Sequence, residues 1–227
     1  MDKQELFRRA KDAIVDADEA KALRIIQEAN ENEVDLLDLL LVGFGAGNDE
    51  IGILFDQGTL SLPELIYAAE VMKSVTNTIL ELLNEQQRKV PVPEKKGTIL
   101  LATVEGDIHD IGKGIVASTL KAAGFEVIDL GCEVPVDVIL EEAKRCNADI
   151  IGTSALLTST LTEQKKLEKL LTEKGEKDSF ITMVGGAPCT ARWARKIGAG
   201  GYSENAIEAV KVALELMKER NKNTETK

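Results

Sequence analysis

From residue 97 onward, short apolar runs alternate with segments of helical periodicity, and this alternation limits the fold more than any other feature of the sequence. The first run, residues 98–104, is Thr-Ile-Leu-Leu-Ala-Thr-Val, which is typical of a buried strand. The full pattern predicts strands at residues 98–104, 125–130, 148–153, 180–184 and 201–202, and helices at residues 111–123, 136–146, 161–173, 188–197 and 204–219. Five β-α repeats of this kind predict an α/β fold with a flavodoxin-like (Rossmann-type) five-stranded parallel sheet in the order 2-1-3-4-5, whose crevice opens between the first and third strands.

The first 88 residues instead show the apolar spacing of amphipathic helices. Leu6 and Ile14 share one face of a first helix, and Asp18 is a candidate N-cap for a second. A third helix is predicted near residues 34–42, and a long fourth helix begins near Pro63. Four such helices joined by short links predict an N-terminal four-helix bundle.

Glycine, proline and polar residues mark the links and the domain boundary. Residues 43–47 contain three glycines and are unfavourable inside a helix, because each interior glycine costs up to about 1 kcal/mol relative to alanine. Residues 52–63 are interpreted as the link that leads into the long helix. Residues 89–96 are polar and contain two prolines, so they predict a linker between a helical domain, residues 1–88, and an α/β domain, residues 97–227.

Charge and cysteine content exclude several classes of partner. The net charge of −11 and the sequence pI of about 4.8 argue against a nucleic-acid partner, because no basic stripe is available to displace counterions from phosphates. The three cysteines are widely spaced and form no Cys-x-x-Cys pair, so we expect neither a structural zinc site nor a disulfide framework. The chain begins with polar residues and has no apolar run near the ~18 residues of a membrane span. We therefore expect a cytoplasmic protein with no signal peptide and no membrane partner.

The one histidine of the chain, His109, follows the first predicted strand, in the segment 106–114, Gly-Asp-Ile-His-Asp-Ile-Gly-Lys-Gly. Turns of this kind lie at the carboxyl end of a parallel sheet, where open α/β folds bind ligands. A neutral imidazole is a good ligand for a transition metal, and Asp107 is placed to hold its second nitrogen. The segment lacks the spacing of a phosphate-binding P-loop, and the fifth strand is not followed by the lysine of a phospho-acceptor receiver domain. His109 is therefore a candidate metal ligand.

Two further loops strengthen this interpretation, since a solitary loop histidine is more often structural than a metal ligand. Residues 153–160, after the third strand, carry five hydroxyl side chains beside the same crevice, more than helix capping readily explains. Gly185 and Gly186, after the fourth strand, allow a ligand to approach the backbone closely, although a plain tight turn would explain them as well.

Together these residues resemble the signature of cobalamin-binding domains, in which a histidine replaces the cofactor's own base and the nucleotide tail is buried. The matching elements, at matching spacings, are Asp107-x-His109-x-x-Gly112, Ser154-x-Leu156 and Gly185-Gly186. The helical part resembles the four-helix cap of the methyl-carrying subfamily, through Leu54-Phe55-x-x-Gly58, Leu62-Pro63 and the segment from Ala68 to Met72. Asn48 departs from that cap pattern, which usually has methionine there. Over nearly the whole chain, the sequence is similar to the small corrinoid proteins of methylotrophic methyltransferase systems, which serve methylamines, methanol, glycine betaine or aryl methyl ethers.

The resemblance implies a role for individual residues. His109 would be the lower axial ligand of cobalt through Nε2, Asp107 would accept from the other ring nitrogen, and Thr160 would complete the relay, so these three form the implied catalytic set. Ser154 and Thr158 would contact the nucleotide base or corrin edge, Gly185 and Gly186 would flank the tail, Ala206 would lie near its far end, and Phe55 and Leu62 would cover the methyl-bearing face. The implied cofactor-binding set is Gly106, Asp107, Ile108, His109, Asp110, Gly112, Ser154, Leu156, Thr158, Gly185, Gly186, Ala206, Phe55 and Leu62.

The resemblance also implies a function. The protein would be a corrinoid methyl carrier, not catalytic alone, that accepts a methyl group on cobalt(I) from a substrate-specific methyltransferase. It would pass the group from methyl-cobalt(III) to a second methyltransferase whose acceptor is tetrahydrofolate, a pterin or coenzyme M. The cofactor would be methylcobalamin, hydroxocobalamin or a related corrinoid, a reductive activation protein would be a further partner, and the setting would be the one-carbon metabolism of methanogenesis or acetogenesis.

Two other cobalamin functions are alternatives. One is a cobalamin-responsive regulatory module, against which the acidic composition and the lack of a DNA-binding domain count. The other is the cobalamin subunit of a mutase, against which the helical cap counts, because such subunits lack it.

Overall fold

The amino-terminal part of the chain is helical, as its amphipathic pattern predicts. The computed structural model describes residues 2–88 and 95–225, and the chain divides into two compact units, Met1–Lys89 and Val90–Lys227. The helices of the first unit are α1 (Lys3–Val15), α2 (Glu19–Glu31), α3 (Leu36–Asp38), a π-helical segment (Leu39–Phe44), α4 (Gly45–Asp56) and α5 (Leu62–Arg88). Because α3, the π-helical segment and α4 follow one another without a break, the unit consists of four helical rods, as predicted.

Local sequence explains where the first two helices begin. The Asp2 side chain accepts from the backbone N–H of Gln4 and caps α1, and the Asp18 side chain accepts from the N–H of Lys21 and caps α2. Each cap satisfies a backbone donor that has no partner within the helix. The predicted N-cap at Asp18 is therefore confirmed.

The glycine-rich segment differs from the sequence-based expectation, because it is helical throughout. A Cβ added at Gly47 would lie 2.6 Å from the carbonyl oxygen of Lys11 and 2.7 Å from Cβ of Ile14, so only glycine lets α1 approach this closely. A Cβ at Gly43 would lie 3.2 Å from Cβ of Ala10. Close packing against α1 therefore outweighs the poor helix propensity of glycine. The helix α4 also continues to Asp56, through residues that we interpreted as a link.

The second unit contains the predicted parallel sheet. Its strands are β1 (Thr98–Thr103), β2 (Glu126–Asp129), β3 (Ile150–Ser154), β4 (Ile181–Gly185) and β5 (Gly201–Tyr202), in the order β2-β1-β3-β4-β5. Its helices are α6 (Ile111–Ala122), α7 (Val136–Arg145), α8 (Leu161–Glu173), α9 (Ala191–Ile197) and α10 (Ala206–Glu225). The strand order agrees with the prediction, and α10 is longer than predicted, since no glycine or proline follows residue 219 to end it. Among the described helices, none is both long enough and apolar enough to cross a membrane.

The interior strand β1 is buried along its whole length, which explains its unbroken apolar sequence. Leu100 packs in a core cluster with Ile139 of α7 and Leu167 of α8, on one face of the sheet. Leu101 packs on the opposite face, in a cluster with Leu120 of α6. With helices covering both faces, the open position for a ligand is the carboxyl edge of the strands.

The predicted linker, residues 89–96, lies outside the described residues except for its last two. The side chain of Lys95 forms an ion pair with Glu126, and the backbone N–H of Lys96 donates to the carbonyl oxygen of Gly124 at 3.1 Å. These contacts attach the start of the second unit to the edge of its own sheet.

We expect Gly47→Ala to lower the free energy of unfolding by about 1–3 kcal/mol, because the new methyl group would overlap α1. The control is Gly52→Ala in the same helix, where an added Cβ meets no atom within 4 Å. That substitution should raise stability by up to about 1 kcal/mol through helix propensity alone. Urea unfolding followed by circular dichroism measures both, and equal effects at the two positions would contradict the packing argument.

Candidate functional site

Three loops meet at the carboxyl edge of the sheet because their strands are neighbours in register. Thr103 at the end of β1 lies opposite Ser154 at the end of β3, and Ser154 lies opposite Gly185 at the end of β4. Residues 105–110 follow β1 and contain the predicted metal ligand. The parallel register therefore places this segment beside the hydroxyl-rich segment after β3, as predicted.

Asp107 joins the loop after β1 to the loop after β3. Its side chain is fully buried, with 0% exposure. Oδ1 accepts from the backbone N–H and from Nδ1 of His109, at 3.1 and 2.7 Å. Oδ2 accepts from the backbone N–H groups of Leu156 and Leu157, at 2.7 and 3.2 Å, and from Oγ1 of Thr160 at 2.7 Å. Five donors on one carboxylate compensate for the cost of burying its charge.

The same contacts keep Asp107 ionised. Burial alone would raise the pKa of this carboxyl group, but hydrogen bonds from Thr160, from the ring of His109 and from the backbone of Leu156 and His109 outweigh burial and hold the pKa well below its usual range. An ionised carboxylate only accepts hydrogen bonds, so the proton between Asp107 and His109 belongs to Nδ1 of the imidazole.

The ring of His109 is therefore oriented from one side and open on the other. With the proton on Nδ1, the lone pair of a neutral imidazole is on Nε2, and no other described residue forms a hydrogen bond with that atom. The side chain is 46% exposed. Its backbone is also fixed, because Oγ1 of the buried Thr103 donates to the carbonyl oxygen of His109 at 3.2 Å. This is the arrangement expected of a metal-ligating histidine whose second nitrogen is held by a carboxylate.

The hydroxyl of Thr160 has two acceptors within reach. Oγ1 lies 2.7 Å from Oδ2 of Asp107 and 2.9 Å from the carbonyl oxygen of Leu157. A hydroxyl carries one proton, so it donates to one of these oxygens at a time. Thr160 can thus donate to the ionised Asp107, or turn and donate to the carbonyl oxygen of Leu157 instead.

The surroundings of His109 suit a metal whose other ligands come from a macrocycle. Among residues 2–88 and 95–225, no group of three or more His, Cys, Asp or Glu side chains is placed to hold a metal ion. One imidazole is too little to retain a free ion, but it suffices as the axial ligand of a metal in a macrocycle. Next to it, Ile108 is 68% exposed and Leu156 is also exposed, and a Cβ added at Gly112 would meet no atom within 4 Å. Open space bordered by apolar side chains therefore fits the broad surface of a corrin.

The loop after β4 is packed directly against the loop after β3. Gly186 has a φ of +112°, and a Cβ added there would lie 1.9 Å from the carbonyl oxygen of Ala155. Glycine at this position is therefore required by the protein's own backbone. The contact of Gly185 and Gly186 with a nucleotide tail stays a prediction.

The remaining predicted residues are distributed over both units. Gly106 has a φ of +77° and forms the turn before Asp107, and Asp110 occupies the N-cap position of α6. Thr158 is exposed in the loop after β3, and Ala206 is the buried first residue of α10. Phe55 in α4 and Leu62 at the start of α5 are exposed apolar residues of the helical unit. Their assigned contacts with a corrinoid stay predictions.

The structure also contains site contacts that the sequence analysis missed. The N–H groups of Leu156 and Leu157 left no signal, because every residue other than proline has one. Thr103 could have been noticed as a hydroxyl inside an apolar strand, and Gln164 as a polar residue on the buried face of α8, which it shares with Leu167.

The B12 binding domain family matches residues 97–211, and a second B12 binding domain family matches residues 6–80. The chain is 45% identical over 209 residues to trimethylamine corrinoid protein 1 of Methanosarcina acetivorans, an alignment that covers 92% of this chain and 95% of that protein.

Two solved structures are also similar. The monomethylamine corrinoid protein of Methanosarcina barkeri has a TM-score of 0.86 and 33% identity, over 95% of this chain and 100% of that one. A chain of the methanol:cobalamin methyltransferase complex from the same organism has a TM-score of 0.53 and 28% identity, over 97% of this chain and 85% of that one.

We expect Thr160→Val to lower the free energy of unfolding at pH 7 by about 1 kcal/mol, because the carboxylate of Asp107 loses a donor. The pKa of Asp107 is lowered in the folded state, so its carboxylate stabilises the fold above the unfolded-state pKa of about 4, and this contribution is lost on acidification. The difference from the parent protein should therefore shrink as the pH falls from about 5 toward 2.

Urea unfolding at several pH values tests this expectation. Thr160→Ser retains the hydroxyl group and should keep the pH dependence of the parent protein. A stability difference between Thr160→Val and the parent that stays constant with pH would mean that Thr160 acts only through packing.

Proposed function

The chain belongs to the B12-binding family, and on this premise we propose that it is a corrinoid protein that carries a methyl group between two methyltransferases. One observation supports the proposal above all others. His109 offers Nε2 from a half-exposed ring, while Nδ1 is held at 2.7 Å by a buried, ionised Asp107. A single oriented imidazole suits a metal whose other ligands come from a corrin.

Residues of three loops would hold the cofactor, a cobalamin or related corrinoid. When bound, the corrinoid supplies the cobalt centre that receives and releases the methyl group. His109 would bind the cobalt, and Ile108 and Leu156 would border the ring with their exposed apolar side chains. The proposed contacts of the nucleotide tail are Ser154, Thr158, Gly185, Gly186 and Ala206.

The hydrogen bond between Asp107 and His109 prepares the imidazole to bind a metal. Because Nδ1–H donates to a carboxylate, the ring keeps one tautomer and one orientation, and its lone pair is left on Nε2 for a metal. Thr160 supports this arrangement by donating to Oδ2 of Asp107.

The protein works with a methyltransferase partner, and the likeness to the methanol:cobalamin methyltransferase complex supports this. We propose that the methyl donor is a methylated amine, since the relatives named for trimethylamine and monomethylamine are 45% and 33% identical to this chain. The further partners proposed are a second methyltransferase, acting on a folate, a pterin or coenzyme M, and a reductive activation protein.

We further propose that residues 1–88 form a cap domain, joined by the linker 89–96 to a cobalamin-binding domain, residues 97–227. Phe55 and Leu62 of the cap would cover the methyl-bearing face of the corrin. Their exposure supports this role, because apolar side chains in water are available to cover an apolar ligand.

The function is tested with the full chain loaded with hydroxocobalamin and then reduced. Each candidate methyltransferase is added together with trimethylamine, dimethylamine, monomethylamine or methanol, and the visible spectrum is followed. We expect a spectral change only with a methylated amine and its own methyltransferase. A loaded protein that responds to none of these combinations would contradict the proposed methyl transfer.

We expect His109→Ala to retain methylcobalamin through the nucleotide tail but to shift its visible spectrum to that of a corrinoid without an axial nitrogen ligand. The spectrum of the loaded, purified variant is compared with that of the parent protein. The control is Glu105→Ala, an exposed residue of the same loop, which should leave the spectrum unchanged. An unaltered spectrum for His109→Ala would exclude this residue as the ligand.

A further inference from the structure

A second buried polar residue, Gln164 of α8, lies behind the loops after β3 and β4. Its side chain is only 1% exposed. Nε2 donates to the carbonyl oxygens of Thr153 and Gly185, at 3.1 and 3.2 Å. Oε1 accepts from Nε1 of Trp193 at 2.9 Å. The thiol of Cys189 lies 3.3 Å from Oε1 and 2.9 Å from the carbonyl oxygen of Gly185, and its one proton serves one of these acceptors at a time. Both amide hydrogens and at least one lone pair of the side chain are therefore used.

These partners allow one orientation of the amide. If the amide were flipped, its oxygen would face two carbonyl oxygens and its NH₂ group would face the indole N–H of Trp193. Burial also raises the pKa of Cys189 to about 11, so the thiol stays neutral and remains a donor. The position of Gln164 is consequently fixed by its neighbours on all sides.

Gln164 joins the ends of two adjacent strands. Thr153 is the penultimate residue of β3, followed by Ser154 at its end, and Gly185 ends β4, followed by Gly186 in the next loop. The carbonyl oxygen of Gly185 also accepts from the N–H of Ala155 at 3.2 Å. The spacing between the two strand ends is therefore set by a side-chain amide in addition to the sheet itself.

The amide contributes to stability, because an apolar side chain of similar length would leave the indole N–H of Trp193 without its acceptor. Its hydrogen bonds with two strand ends also contribute geometric precision. The strand ends that it positions carry residues assigned to the nucleotide tail.

We propose that Gln164 is a positioning residue for the nucleotide tail, and that through it the protein prefers corrinoids that carry this tail over corrinoids that lack it. This inference rests on the proposed function. Gln164 acts through the backbone of Thr153 and Gly185, which in turn place Ser154, Gly185 and Gly186. The hydrogen bonds of the Gln164 side chain involve Thr153, Gly185, Trp193 and Cys189, and none involves His109.

The test compares two ligands that share the corrin ring and cobalt and differ in the tail. The full-length protein without cofactor is titrated with hydroxocobalamin, which carries the nucleotide tail, and with diaquacobinamide, which lacks it. Gln164→Met removes the amide at similar length. We expect its Kd for hydroxocobalamin to rise about tenfold, the usual effect of losing buried hydrogen bonds, and its Kd for diaquacobinamide to change by less than about twofold.

Leu167→Ala is the matched control, because it weakens the packing of the same helix without touching the strand ends. It should lower stability while keeping the parental ratio of the two Kd values. If Gln164→Met does not fold, Gln164→Asn replaces it, since its shorter amide cannot reach both carbonyl oxygens. Equal weakening of both ligands in the Gln164 variant, or no weakening of either, would overturn the inference.

The Kd values of the parent protein for the two ligands distinguish a failure of this inference from a failure of the proposed function. A parent that binds both ligands equally well would overturn tail recognition through Gln164 and leave corrinoid binding intact. A parent that binds neither ligand would contradict the proposed function itself.

Discussion

The arrangement of the carboxyl edge of the sheet depends on one buried carboxylate, which must find all its hydrogen-bond donors inside the protein. Asp107 is removed from water, and an unpaired charge there would be too costly to keep. Two of its five donors are the backbone N–H groups of Leu156 and Leu157, which can reach it only if the loop after β3 lies against the loop after β1. The need to pair the Asp107 carboxylate therefore accounts both for the contact between these two loops and for the placement of His109.

The positions of the strands and the pairing of Asp107 with His109 could be predicted because both follow from local patterns. The apolar run of β1 is continuous because helices cover both faces of that strand, so its burial is visible in the sequence itself. Asp107 and His109 stand two residues apart in one turn, and their pairing at 2.7 Å needs no distant segment. Short-range spacing was sufficient for these features.

The contacts that fix the loops could not be derived from local patterns, because they join residues that are far apart in the sequence. The contact of Asp107 with Thr160 was expected only through the family resemblance. Gln164 meets Thr153, Gly185 and Trp193 only after the strands have aligned in register, and these contacts were not predicted. The helical state of Gly47 has the same cause. Its propensity argues against a helix, while the surface of α1 that excludes a side chain belongs to another segment. Propensity describes a residue alone, and these positions are decided by their neighbours.

Two buried polar side chains connect the strand ends at the carboxyl edge of the sheet. Asp107 connects the ends of β1 and β3, and Gln164 connects the ends of β3 and β4, so the end of β3 is shared by both. A displacement of β3 would therefore break hydrogen bonds on both sides, and each of those groups would be left unpaired in the interior. Three strand ends are thereby linked by buried hydrogen bonds, while the side chains of His109 and Ile108 are exposed to solvent. Linked strand ends beneath an exposed histidine suit a carrier, because the same residues can hold one cofactor while a methyltransferase approaches it.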